Sequence, residues 1–153
     1  MLTADQVADY FILRVDESSG DVMTNLRLQK LVYYAQAWHL ALTGEPLFED
    51  DFEAWVHGPV IPHLYRRFKE NGWRAIDRAA TSPMPEIDDE TRGILEEVWS
   101  AYGQFSATHL EELTHGEIPW LDARRGYDAG TSCSEVIPQA AMRDYYAQQL
   151  APA

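Results

Sequence analysis

Between Thr24 and Gly44 the chain contains neither glycine nor proline, and its apolar residues recur at helical spacing. Leu28, Leu31, Val32, Ala35, Trp38 and Leu42 form one broad stripe on a helix, while Arg27, Lys30 and Gln36 fall mostly off it. Thr24 or Asn25 can cap this helix, Leu42 closes it, Gly44 supplies a stop and Pro46 prevents resumption. A stripe so wide must be covered by other elements, which makes this helix the expected centre of the fold.

The flanking segments supply that cover. Thr3 and Gln6 form a capping box ahead of Val7, Ala8, Phe11, Ile12 and Val15, so a first helix is expected to about Glu17, followed by a turn at Ser18 to Asp21. Phe52 to Val56 alternates like a short strand and leads into a Gly58-Pro59 turn. Pro62 opens a third helix carrying Leu64, Tyr65 and Phe68, ended by Asn71-Gly72. Trp73 to Ile87 reads as a loop with a short strand near Ala75-Ile76. Asp88 or Asp89 caps a helix bearing Ile94, Leu95, Val98, Trp99 and Tyr102 and ending at Gly103; Ser106 caps the next, with Leu110 and Leu113. Pro119 starts a short helix to Arg125, broken by Gly126, and Pro138 begins a terminal helix with Ala141, Met142, Tyr145, Tyr146 and Leu150. The expectation is mainly α: a single compact domain over residues 1–153, with about six helices and one small β element.

Composition agrees. A chain of 153 residues can bury roughly 70% of its unfolded surface, and 5 Trp, 8 Tyr and 5 Phe provide the apolar area that a disordered chain lacks. The single cysteine, Cys133, forms no internal disulfide and belongs to no Cys-rich zinc set. No signal-peptide pattern follows Met1 and no apolar run reaches membrane-spanning length, so a cytoplasmic protein is expected. Net charge is −13, with 25 acidic and 12 basic residues, which disfavours direct nucleic-acid binding and favours a basic partner.

Catalytic signatures are weak. The segment from His109 to His115 superficially resembles a zincin helix, but ligands on one helical face should be four apart and these are six apart. No nucleophile elbow, phosphate-cradling loop or dinucleotide fingerprint occurs, and no metal or cofactor is expected. Two segments concentrate Trp, Tyr, His and Arg: Trp55 to Phe68, with Arg66 and Arg67, and Leu113 to Gly126, with Arg124 and Arg125. Such residues dominate interface hot spots.

These segments carry a resemblance. Leu28-Gln29-Lys30-Leu31-Val32-Tyr33-Tyr34-Ala35-Gln36-Ala37-Trp38-His39, Gly44-Glu45-Pro46-Leu47-Phe48, Phe52 to Val60, Leu113-Thr114-His115 and Pro119 to Arg124 resemble, in order, the SocA-like antitoxin (Panacea) family, whose members include phage-associated GepA-like proteins. One departure is His57 before Gly58-Pro59, where an aromatic such as Tyr is common in the family. The resemblance implies an antitoxin that binds a cognate protein toxin encoded beside it, by occlusion and without catalysis. One family branch implies an alternative, an adaptor that delivers the toxin to a protease, and a protease or chaperone is then a further expected partner. Fused members carry DNA-binding domains, for which this chain has no room. The candidate partner-binding residues are Lys30, Tyr34, Trp55, His57, Arg66, His115, Trp120 and Arg124. A small hydrolase built on His57, His115 and Glu117 is the competing expectation, and it requires those three side chains to meet in one cleft.

Overall fold

A computed structural model of the chain describes residues 1–150. Its helices start where the side chains can satisfy the first free N–H groups. Thr3 and Gln6 make the reciprocal capping box of α1 (Ala4–Arg14), Thr24 caps α2 (Asn25–Thr43), Asp88 caps α4 (Asp89–Tyr102) and Ser106 caps α5 (Ala107–His115). Between them lie α3 (Pro62–Arg67) and, later, α6 (Ile118–Ala123), each with proline in its first turn, before α7 (Gln139–Leu150). The described residues thus hold seven α-helices and one small sheet, mainly α as expected.

Several boundaries move for local reasons. α1 ends at Arg14, short of Glu17, because Val15 turns extended and Asp16 caps a separate 3-10 turn closed by Gly20 at φ +85°. The expected strand contracts to β1 (Glu53–Trp55), and Gly58-Pro59, expected as a turn, forms β2 (Gly58–Val60), leaving Val56-His57 as the reversal. β1 and β2 are antiparallel, with Glu53 opposite Val60 and Trp55 opposite Gly58. On the other edge of β1, Ala54 N–H donates to Glu135 O at 2.9 Å and Ile137 N–H to Phe52 O at 2.8 Å, so the chain before α7 extends the sheet. The strand expected at Ala75-Ile76 is absent; Ile76 donates to Met23 O at 2.7 Å and the chain passes into a 3-10 turn at Arg78–Ala80.

α2 lies at the centre, packed by α1, α4, α5, α7, α3 and β2. It is therefore buried nearly all round. Leu28, Gln29, Leu31, Val32, Tyr33, Tyr34 and Ala35 are enclosed, and so, against expectation, are Arg27, Lys30 and Gln36. Their polar atoms hold loops in place. Gln36 donates to Phe48 O at 2.8 Å and accepts from Leu47 N–H at 2.7 Å, while Gln29 accepts from Ile61 N–H at 3.1 Å. Arg27 bonds Asp21, Val22 O and Gly103 O. Buried amides and cations persist only with such partners, since an unpaired one costs about 1 to 3 kcal/mol. At the far end of the stripe the opposite correction applies: Leu42 is 51% exposed.

Candidate interaction site

The β1–β2 hairpin is mounted on the central helix from below. Lys30 Nζ, 1% exposed as a residue, donates to Pro59 O at 3.1 Å. Gly58 lies directly above the lysine stem at φ +106°, and a Cβ there would stand 2.4 Å from Lys30 Cε and 3.0 Å from Thr114 Oγ1. Only glycine allows this approach. Burial lowers the Lys30 ammonium to about 7, partly offset by the charge of Glu111.

From the side, α5 and α6 clamp the same hairpin. Trp120 Nε1 donates to Trp55 O at 2.8 Å, and the His115 ring stacks on Trp120 with centroids 4.0 Å apart. Burial holds the His115 imidazole below its ordinary pKa, and among the described residues its Nε2 has no hydrogen-bond partner. Arg124 donates to Ala54 O at 2.8 Å and gathers the carbonyls of Asp128, Ala129 and Thr131, with its guanidinium over the Trp120 ring. One arginine thereby ties hairpin, α6 and the following loop together.

What this scaffold presents outward is a cavity of about 470 Å³ lined by Trp55, His57, Tyr65, Cys133 and neighbouring residues. Trp55 and Tyr65 meet edge to face at 5.1 Å, and His57 Nδ1 lies 3.0 Å from Glu111 Oε1. Arg66 is exposed on α3 nearby in sequence, whereas its neighbour Arg67 turns inward to Asp5 at 2.9 Å and Asp9 at 2.6 Å, pinning α3 to α1.

The eight candidate residues therefore divide. Trp55, His57 and Arg66 reach the surface and His115 is half-buried. Lys30, Tyr34, Trp120 and Arg124 are buried, and in this conformation they brace the hairpin and the helices around it. Tyr34 stacks on Tyr102 at 4.0 Å and donates to Glu117 Oε1 at 2.7 Å; Tyr146 donates to the same oxygen at 2.8 Å. Burial raises the Glu117 carboxyl, and the two tyrosine hydroxyls oppose that rise. Glu117 thus belongs to a tyrosine cluster against α7, while His57 pairs with Glu111, and neither Glu117 nor His115 lines the cavity that His57 borders. The three groups that a hydrolase would need do not share that cleft. Among the described residues no three His, Cys, Asp or Glu side chains are grouped to hold a metal ion, and no helix is long and apolar enough to cross a membrane. Sequence reasoning missed Tyr65 and Glu111 as partners of Trp55 and His57, since each contact joins elements remote in the chain.

The described residues thus define a mainly helical domain with a small hairpin stapled to its core and an aromatic cavity beside it. A family model described as antitoxin SocA-like, Panacea domain, matches residues 28–121, from α2 into α6. The chain is also similar to the antitoxin SocA of Caulobacter vibrioides (strain NA1000 / CB15N), with 37% identity over 109 residues covering 64% of this chain and 58% of that protein. It spans less than two thirds of that relative's length. No solved structure matches. The chain belongs to the SocA-like antitoxin, Panacea-domain family.

Proposed function

We propose that this chain is an antitoxin that neutralises a cognate protein toxin, encoded beside it, by direct binding and without a reaction of its own. The observation that carries the reading is the family match across the whole scaffold of the hairpin, from α2 beneath it to α6 beside it. The surface supports it. Trp55, Tyr65, His57 and Arg66 offer the large, rigid contact area and forked donors that concentrate binding energy, and the buried residues beneath preorganise them. Net charge −13 suits electrostatic capture of a basic toxin, a rate effect that weakens as salt shortens the screening length to about 8 Å.

The test combines neutralisation with kinetics. With the neighbouring gene product as ligand in surface plasmon resonance, His57→Ala and Arg66→Ala should speed dissociation and weaken rescue of cells from it, at unchanged melting temperature. Folded variants that bind and rescue like the parent would remove this face from the interaction. Delivery to a protease, the role of one family branch, would appear instead as rescue only in cells that retain the protease.

A further inference from the structure

The stripe on α2 extends beyond the part that the described residues cover. Leu42, at its end, is 51% exposed, and so is Leu150 at the end of α7. Between them a cavity of about 370 Å³ is lined by Trp38, Ile94 and Val98 as well as those two leucines. Beside it, along the same two helices, a second cavity of about 800 Å³ is bordered by His39 and Thr43 of α2 and by Glu90 and Thr91 of α4. Glu90, Ile94, Glu97 and Ala101 stand at i, i+4, i+7 and i+11, so one face of α4 passes through both cavities. That face is about 16 Å long, the length of roughly eleven helical residues.

Charge along the groove is one-sided. Glu45, Glu86, Asp88 and Glu90 line the larger cavity and Glu97 the apolar one; among the described residues no lysine or arginine lines either. The positive groups there are the amino terminus and His39 when protonated. A partner that laid leucine-like side chains against Leu42, Ile94 and Leu150 would therefore bring its flanks against carboxylates, and only cationic flanks would be attracted. Ridges of such a helix fit between α2 and α4 as helices pack in general. We propose that the α2–α4 groove docks a short cationic amphipathic helix of a partner protein. This surface is separate from the hairpin face, and the inference does not depend on the antitoxin reading.

The probe is a synthetic amphipathic helix of about sixteen residues, with leucines along one face and lysines elsewhere, titrated into the full chain by calorimetry. The control is a peptide of the same composition with its leucines scattered. Saturable one-to-one binding, weakened by salt and at least about tenfold tighter than for the scattered peptide, is expected. Leu42→Gln with Leu150→Gln keeps the net charge and alters two half-exposed side chains, so the fold should survive, as circular dichroism would show, while binding falls about tenfold or more. Glu90→Gln with Glu97→Gln should flatten the salt dependence. Equal binding of both peptides, or binding unaffected by the leucine variant, would overturn the proposal. So would concentration-dependent self-association of the parent that the leucine variant abolishes, since a second copy would then be the occupant. His57→Ala should leave peptide binding unchanged, which separates failure here from failure of the antitoxin reading.

Discussion

Lys30 and Gly58 show how a single residue pair fixes the hairpin. A side chain at position 58 must adopt a positive φ and displace the Lys30 stem, so Gly58→Ala is expected to destabilise by about 1 to 3 kcal/mol for the backbone alone, read as a lower urea midpoint. An unchanged midpoint would mean the hairpin is not seated on α2 as described. Lys30 makes a prediction about pH. Its ordinary pKa is 10.5 and burial lowers it to about 7 in the folded chain, so between these values the unfolded chain binds the extra proton. Stability must then rise with pH through that window, and the penalty for burying the lysine is complete below pH 7. One proton corresponds to about 1.4 kcal/mol per pH unit. Tyrosines oppose this at higher pH, for burial and Glu96 push Tyr10 up to about 12 and its unfolded form titrates near 10, which confines the readable range to about pH 7 to 9. Replacement Lys30→Met should flatten the slope of unfolding free energy across that range relative to the parent. Equal slopes would show that the ammonium stays charged in the fold.

At the scale of elements, α2 separates what its spacing could reveal from what it could not. The cap at Thr24 and the stop at Gly44 are local, and both appear as read, with Gly44 at φ +79°. The burial of Arg27, Gln29, Lys30 and Gln36 is not local, because it depends on backbone carbonyls and amides of residues 47, 48, 59, 61 and 103 that arrive only when the chain has folded. The same limit hid part of the candidate site. Trp55, His57 and Arg66 could be named from residue type, but Trp120 and Arg124, equally rich in interface character, are consumed in bonding the backbone of β1. The stripe itself can be tested at two of its positions. Leu31→Ala, fully buried, should cost about 2 to 5 kcal/mol, whereas Leu42→Ala, half exposed, should shift the urea midpoint little. Comparable losses at both would place Leu42 in the core.

Across the whole molecule, the residues divide between building and meeting. α1 and α7 lie outside the matched range yet help to enclose α2, so the family signature spans the hairpin and its mounting while the flanking helices complete the core. The buried Arg124 and Lys30 hold the hairpin on the core, and the proposed capture of a basic toxin draws on the net charge of −13. Binding without chemistry is the central claim. Its most direct measurement is a titration of the purified product of the neighbouring gene with this purified chain, no protease present, following the toxin's own activity. Stoichiometric inhibition, with the toxin recovered intact and active on dissociation, is the predicted result. A toxin that stays fully active with the chain in excess, and loses activity only when a protease is added, would contradict it.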